Sequence, residues 1–185
     1  MLIAGCMFAG KTTTLFRYLD LLDGQNVLLF KHVIDRRYRD DQVVSHSGKS
    51  CPAVSIPSSQ AILSNLQDDT DFIALDEAHF FDLDLIDVVE RVTSRGVGVL
   101  LTALDRDSWG QPFPLIERLS RIAGDVQKLF ASCSQCNAPA DRTQRRTPII
   151  NGNMVGGPES YEPRCRNCWH PPAQPPPQSR HLARR

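Results

Sequence analysis

The residues near the start of the chain carry the pattern of a phosphate-binding loop. Two glycines flank four residues and are followed by a lysine and a threonine, in a G-x-x-x-x-G-K-T run. Backbone N–H groups of such a loop converge on phosphate oxygens, the lysine reaches the β- and γ-phosphates, and the threonine hydroxyl binds Mg²⁺. An apolar segment precedes the run and a helical pattern follows it, and this context disfavours an ordinary glycine-containing turn. The predicted nucleotide-binding residues are Gly5, Cys6, Met7, Phe8, Ala9, Gly10, Lys11 and Thr12.

A second group that could do chemistry is an acidic pair, Asp76 and Glu77, directly after the apolar segment 72–75. Enzymes that use nucleoside triphosphates hold Mg²⁺ with an acid at the end of a strand. We expect Asp76 to do this together with Thr12 and with Asp35, which follows an earlier apolar strand. In a kinase, Glu77 would deprotonate the acceptor hydroxyl as it attacks the γ-phosphate. The alternative for this pair is a solvated cap on the next helix.

Four of the six cysteines form two C-x-x-C pairs near the C-terminal end. Cys133 and Cys136 make the first pair, Cys165 and Cys168 the second, and 28 residues separate the pairs. Four thiolates in two such knuckles are the ligand set of a tetrahedral structural zinc ion, with no coordination position left for chemistry. The alternatives are a redox-active C-x-x-C and unpaired buried thiols. The spacing favours a zinc ribbon in which the ion holds residues 137–164 as a loop.

Apolar segments alternate with helical patterns through the first 131 residues. We expect strands at about 1–4, 27–30, 53–56, 72–75, 97–103 and 126–131, and helices at about 11–22, 60–66, 85–92 and 114–122. Ser58 or Ser59 is expected to cap the second of these helices. The alternation predicts an α/β fold, a parallel sheet of the P-loop NTPase type flanked by helices, and ligands bind at the carboxyl edge of such sheets.

The chain is predicted to have three regions. Residues 1–131 form the α/β domain, 132–170 the small zinc ribbon with its lasso loop, and 171–185 a disordered tail rich in proline. Residues 39–57 are expected to be a long loop that carries the short strand 53–56. These regions put the phosphate loop and the acidic pair in one domain and the cysteines in the other.

Composition gives no indication of a nucleic-acid or membrane partner. The 21 basic residues equal the 21 acidic ones, and 41% of the 185 residues are hydrophobic. We find no apolar run near the roughly 18 residues of a membrane span. We therefore expect a cytoplasmic protein, in which cysteines are thiols or metal ligands rather than disulfides.

Together the motifs resemble those of the type II thymidine kinases, the cellular and bacterial class with a P-loop core and a zinc-bound lasso. The likeness covers residues 1 to about 169. It rests on GCMFAGKT, Asp35-x-Arg37-Tyr38, DEAHFF, Leu104-Asp105-x-Asp107, Pro112-Phe113, Gly156-Gly157 with Tyr161, and both cysteine pairs. The resemblance implies transfer of the γ-phosphate of ATP to the 5′-hydroxyl of thymidine, with Mg²⁺ accompanying ATP, a structural Zn²⁺ and Glu77 as the base. It also implies a homotetramer.

The resemblance further implies which residues meet the two substrates. The nucleotide site extends to Asp76, Glu77, Ala78 and His79. The loop between the cysteine pairs folds over the nucleoside and holds the thymine largely through backbone groups. The implied nucleoside-binding residues are Met7, Phe80, Leu104, Phe113, Val155, Gly156, Gly157 and Tyr161.

The chain departs from the family pattern at two positions. Ser108 stands near the point where the family usually has an aromatic ring, and Trp109 follows it. His79 stands where glutamine is commoner. Both departures concern substrate contacts rather than the class of reaction, so a kinase with a shifted nucleoside preference is one alternative.

Two further functions compete with a nucleoside kinase. Residues 76–79 spell the DEAH box of nucleic-acid-dependent ATPases, although a helicase motor would need a second comparable domain. A non-catalytic binding protein is suggested by Ser108. The joint presence of Lys11, Thr12 and the acidic pair argues for catalysis.

Overall fold

The computed structural model of the chain describes residues 1–36, 41–45, 48–148 and 155–173. These residues form twelve strands, four α-helices and one short 3₁₀ helix at Ala78–Phe80. The strands are β1 (Leu2–Gly5), β2 (Val27–His32), β3 (Gln42–Val44), β4 (Ser50–Pro52), β5 (Val54–Ile56), β6 (Phe72–Leu75), β7 (Gly98–Ala103), β8 (Val126–Leu129), β9 (Ala131–Ser132), β10 (Pro139–Ala140), β11 (Arg142–Arg145) and β12 (Tyr161–Arg164). The helices are α1 (Lys11–Leu21), α2 (Gln60–Asn65), α3 (Leu85–Thr93) and α4 (Pro114–Ile122).

Six strands form one parallel sheet in the order β5-β2-β6-β7-β1-β8. The predicted α/β fold with a parallel sheet flanked by helices is therefore confirmed. Because β1, β6 and β2 run in the same direction, the segments that follow them all leave from the carboxyl edge of the sheet. The phosphate loop, the acidic pair and Asp35 are those segments.

The two faces of the sheet carry different layers. One face packs against α2, α3 and α4 through a core in which Leu85, Val88 and Val92 of α3 are fully buried. The other face packs against α1 through Leu15 and Phe16. Alternate residues of each strand point to opposite faces, so a strand buried on both sides is apolar throughout, as the sequence pattern indicated.

The segment expected to be mostly loop contains an additional antiparallel pair, β3 with β4, which the sequence did not predict. Val43 of β3 is buried in the core on the α1 side, and Cys51 of β4 packs against that core. These contacts stabilise strands of only three residues each. The pair therefore covers α1 beside the carboxyl edge.

Two details differ from the expectation. Ser59, one of the two expected residues, is the N-cap of α2, but its side chain makes no capping hydrogen bond, and its backbone N–H donates to Asp82 Oδ2 at 3.1 Å. The last predicted strand is divided at Phe130, because β8 pairs with β1 at the edge of the sheet while β9 pairs with β10 in the cysteine-containing region.

The longest helix of the described residues has eleven residues. In that part of the chain we find no helix with the length and apolar character needed to cross a bilayer.

The core on the α3 side gives a stability prediction. Leu85 is fully buried at the start of α3, so Leu85→Ala should lower the free energy of unfolding by about 2 to 5 kcal/mol through lost burial and a residual cavity. Urea unfolding followed by circular dichroism measures this change. Leu83 is the matched control, because it lies two residues earlier with 49% of its surface exposed and its replacement by alanine should change stability by less than about 0.5 kcal/mol. Equal effects of the two substitutions would contradict the described core.

Candidate active site

The loop between β1 and α1 has the backbone of an anion site. Gly10 has φ of 80°, a left-handed conformation that favours glycine, and α1 begins at the next residue. A Cβ on Gly5 would lie 2.6 Å from the carbonyl oxygen of Leu129, so this position too requires glycine. No side chain caps α1 within the described residues, which leaves the N–H groups of its first turn directed toward the loop.

Lys11 and Thr12 connect this loop to the sheet. The Lys11 ammonium is buried and donates to the carbonyl oxygen of Cys6 at 2.9 Å. Thr12 Oγ1 donates to the Asp76 carboxylate, 3.2 Å from Oδ1. Asp76 follows β6 and also accepts a 2.5 Å hydrogen bond from Thr102 Oγ1 on β7. A helix and a neighbouring strand therefore fix the orientation of one buried carboxylate.

Strand register explains why these polar groups meet. Leu29 of β2 pairs with Ala74 of β6, which pairs with Leu100 of β7, and these three residues face α1 in an apolar layer. Two residues further along each strand lie Lys31, Asp76 and Thr102, on the same face. They are 2%, 4% and 0% exposed. The carboxyl end of the sheet thus carries a buried polar layer directly above an apolar one.

Glu77 occupies a strained position beside Asp76. Its φ of 52° and ψ of 49° place it in the left-handed region, which is uncommon for residues other than glycine and asparagine. Its backbone N–H donates to Thr102 Oγ1 at 3.0 Å, so one threonine holds both acids. The residue is 8% exposed. The strain and the hydrogen bond together fix where the Glu77 carboxylate can lie.

His79 contacts the residues predicted to line the nucleoside pocket. Its ring centre lies 4.3 Å from that of Phe80 and 5.0 Å from that of Phe113, and its Nδ1 accepts a hydrogen bond from the Leu104 N–H at 3.2 Å. Glu77 Oε2 lies 3.5 Å from the same nitrogen. The described contacts of His79 therefore join Glu77 to this aromatic group.

The four cysteines of the two C-x-x-C pairs come together. Their Sγ atoms all lie within 4.8 Å of one another, and Cys136 Sγ is 3.6 Å from both Cys165 Sγ and Cys168 Sγ. A tetrahedral zinc ion with Zn–S bonds of about 2.3 Å places its sulfur ligands about 3.8 Å apart. The cluster therefore fits a structural zinc ion and supports the predicted zinc site.

Protons are unevenly shared among these thiols. Burial opposes ionisation of Cys133, but hydrogen bonds from the backbone of Cys165, Gln135 and Cys136 outweigh it and lower the Cys133 pKa to about 6. Hydrogen bonds with Cys136 and Cys165 raise the pKa of Cys168 to about 12. A cation bound by four thiolates must displace such protons.

Two hydrogen bonds connect the phosphate loop to the cysteine-containing region. The Cys6 thiol donates to the carbonyl oxygen of Ala140 at 3.3 Å, and the Met7 N–H donates to Thr143 Oγ1 at 3.1 Å. Burial raises the pKa of Cys6, although Lys11 lowers it in part, which keeps the proton that the thiol donates. The Cys6 thiol thus links the phosphate loop to β10.

One cavity brings many of the predicted nucleotide and magnesium residues together. Its lining consists of Met7, Phe8, Gly10, Lys11, Thr12, Thr13, Lys31, Asp35, Gln42, Val43, Val44, Asp76 and Glu77. Gly5, Cys6 and Ala9 belong to the loop behind this surface, and Ala78 and His79 lie beyond the acidic pair in the 3₁₀ helix. The cavity therefore places Lys11 and Thr12 together with the carboxylates of Asp35, Asp76 and Glu77.

A family model described as thymidine kinase matches residues 1–169. The chain belongs to the thymidine kinase family. Membership makes the protein a kinase, a transferase whose substrates are a nucleoside and a nucleotide. The matched residues include both the sheet domain and the cysteine cluster.

The predicted nucleoside-binding residues of this kinase fall in two groups. Phe80, Leu104 and Phe113 surround His79, whereas Gly156, Gly157 and Tyr161 lie at β12. Tyr161 is buried, and its hydroxyl accepts a 2.5 Å hydrogen bond from Arg145. Val155 is half-buried. The cavity at the phosphate loop includes only Met7 of the predicted nucleoside residues.

Hydrogen bonds fix the loop after β7 around Ser108 and Trp109, where the chain departs from the family pattern. Asp107 Oδ1 accepts hydrogen bonds from the N–H groups of Trp109 and Gln111. Ser108 is 3% exposed, while Trp109 is only half-buried. The side chain with room to reach a ligand is therefore that of Trp109, whereas a ring at Ser108 would need the loop to repack.

Some predictions fall on residues outside the described ranges. These are Arg37 and Tyr38 of the Asp35 motif, residues 149–154 of the lasso, and residues 174–185 of the tail. Sequence reasoning in turn did not identify Lys31, Thr102, Thr143 or the wall formed by Gln42–Val44. The polar residues that begin at the end of β2 were the signal for Lys31, while the others lie outside any motif.

The cysteine cluster gives a metal prediction. Purified kinase should contain about one zinc ion per chain, and Cys165→Ser should remove it because one of four thiolate ligands is lost. Thymidine binding should weaken most, because the ion holds the loop between the cysteine pairs. ADP binding should weaken less, because the phosphate loop depends on the cysteine-containing region only through the hydrogen bonds of Cys6 and Met7. Elemental analysis and calorimetry measure these three quantities.

Cys51→Ser is the matched control, because Cys51 is a thiol outside the cluster. It should retain zinc and both affinities. A wild-type protein free of metal that binds both ligands normally would show that the cluster has another role.

Proposed function

We propose that this kinase transfers the γ-phosphate of ATP to the 5′-hydroxyl of thymidine. The observation that carries the proposal is that Lys11 and Thr12 of the phosphate loop share one cavity with Asp76 and Glu77. Phosphoryl transfer requires positioning and charge stabilisation more than covalent chemistry, and these residues supply both. Family membership supports a nucleoside as the acceptor.

The loop and its lysine bind the triphosphate in this proposal. Backbone N–H groups at the start of α1 receive the phosphate oxygens, and Lys11 exchanges the carbonyl oxygen of Cys6 for the β- and γ-phosphates. Thr12, Asp76 and Asp35 would hold the Mg²⁺ that accompanies ATP, and their hydroxyl and carboxylate oxygens are ligands that this ion prefers. When bound, Mg²⁺ supplies charge neutralisation to the phosphates.

Glu77 is the proposed general base. It accepts the proton of the 5′-hydroxyl while the oxygen of that hydroxyl forms a bond to the γ-phosphorus. The bond from that phosphorus to the β,γ-bridging oxygen breaks, and its electron pair leaves with ADP. Thr102 holds the Glu77 backbone and orients Asp76, so proton acceptor and phosphate site keep a constant separation.

The nucleoside site is proposed between the two groups of predicted residues. The aromatic group around His79 begins directly after Glu77 in the chain, which suits a sugar hydroxyl at Glu77 and a base beyond it. The backbone of Val155, Gly156 and Gly157, with Tyr161, would close over the base. Zinc in the cysteine cluster would hold that loop in place.

An assay of ADP release tests the reaction against the alternative of a nucleic-acid-dependent ATPase. The kinase should be stimulated by thymidine and unaffected by single-stranded DNA or RNA. Chromatography of the reaction should show thymidine 5′-monophosphate in amounts equal to ADP. Stimulation by nucleic acid without phosphorylated nucleoside would favour the ATPase.

Replacing Glu77 tests the base. Glu77→Gln keeps the size of the side chain but removes proton acceptance, so turnover should fall by about 10² to 10⁴. ADP affinity should stay near the wild-type value, because the amide does not alter the phosphate loop. Steady-state kinetics and calorimetry measure the two effects.

Glu90→Gln on the exposed side of α3 is the matched control and should leave both quantities unchanged. Near-normal turnover of Glu77→Gln would remove Glu77 from the role of base.

A further inference from the structure

A second lysine lies in the phosphate cavity, and the phosphate-loop motif does not account for it. Lys31 is the fifth residue of β2, is 2% exposed and lines the cavity together with Lys11. Removing an ammonium group from water costs several kcal/mol unless other groups compensate. Lys31 therefore brings a second buried positive charge into the cavity beside the phosphate loop.

The position of Lys31 is fixed from two sides. Asp76 N–H donates to the carbonyl oxygen of Phe30 at 3.0 Å, which joins the backbone before Lys31 to the acidic segment. On the other side, Lys31 Nζ donates to the carbonyl oxygen of Gln42 at 3.3 Å, in the β3–β4 pair. The backbone at Lys31 is therefore joined to the acidic segment, and its ammonium group contacts β3.

Strand order puts Lys31 opposite the phosphate loop. The loop leaves β1, and the order β2-β6-β7-β1 places β6, which carries Asp76, between the loop and Lys31. Adjacent strands lie about 4.8 Å apart, so the backbones of β1 and β2 are separated by about 14 Å. A phosphate bound beside Thr12 and Asp76 would have the loop on one side and Lys31 on the other.

The charges in the cavity also indicate that Lys31 contributes to phosphate binding. Its described lining includes two lysines, Lys11 and Lys31, and three carboxylates, from Asp35, Asp76 and Glu77. Lys31 therefore supplies half of the positive side-chain charge among these lining residues. Without it, the carboxylates would repel a terminal phosphate more strongly.

We propose that Lys31 binds the terminal phosphate of ATP on the side away from the phosphate loop and stabilises that phosphate as it moves toward the acceptor. This inference rests on the proposed function. Lys11 reaches the β- and γ-phosphates from the loop, whereas Lys31 contacts only the γ-phosphate. The two lysines therefore hold the transferred group from opposite sides.

Comparison of two nucleotides tests this role without catalysis. Lys31→Met keeps the length of the side chain and removes its charge, and binding is measured by calorimetry with ADP and with the β,γ-imido analogue of ATP, both with Mg²⁺. Affinity for the analogue should fall by about 10- to 150-fold, the range of one charge-assisted hydrogen bond, and affinity for ADP by less than about threefold. An equal change for both nucleotides, or no change for either, would overturn the inference.

Two variants separate charge from structure. Lys49→Met removes a lysine that is about half exposed and pairs with Asp20, so it alters net charge equally and should leave the ratio of the two affinities unchanged. Val43→Ala loosens the β3–β4 pair against α1 without removing charge. If Val43→Ala reproduces the selective loss of the analogue, Lys31 acts only by holding β3, and the inference is wrong.

The wild-type protein distinguishes failure of this inference from failure of the proposed function. If it binds neither nucleotide, the phosphate loop is not an ATP site and both fail. If it binds both nucleotides and Lys31→Met keeps their affinity ratio, only the role of Lys31 fails.

Discussion

A buried carboxylate requires donors that hold it, and this requirement at Asp76 organises the site. Thr12 comes from the helix after the phosphate loop and Thr102 from the neighbouring strand, and both donate to Asp76. These contacts tie α1 to the sheet in addition to the apolar packing of Leu15 and Phe16. The same Thr102 oxygen accepts from the Glu77 N–H, which extends this restraint to the neighbouring acid.

The elements of the fold were largely predictable because buried parallel strands and amphipathic helices have distinct patterns. The strand Phe72–Leu75 was predicted to the residue, since four apolar residues end abruptly at two acids. The β3–β4 pair was not predicted, because its strands are short and partly polar. Its stability comes from packing Val43 against α1, a contact between segments distant in sequence that no local pattern records.

The residues around the cavity also differ in how far the sequence could predict them. A contiguous motif identified Lys11 and Thr12, and a strand end identified Asp76. Thr102 and Lys31 reach the same place through the register of strands that are not consecutive in the chain, and one sequence does not carry that register. The hydrogen bond from the Cys6 thiol to the carbonyl oxygen of Ala140 likewise depends on how the cysteine-containing region packs. Contacts between segments distant in the chain were therefore what sequence reasoning missed.

The backbone strain at the cavity sets a trade-off between stability and activity. Of the described residues other than glycine, Phe8, Glu77 and Asn137 have positive φ, and the first two line the cavity. Such conformations cost about 1 to 3 kcal/mol each. Glycine at position 77 would relieve the strain and is expected to raise the melting temperature, yet it would remove the carboxylate. Because Glu77 is the proposed general base, we expect laboratory selection for thermal stability alone to favour inactive variants at this position, so any such selection needs a parallel screen for turnover.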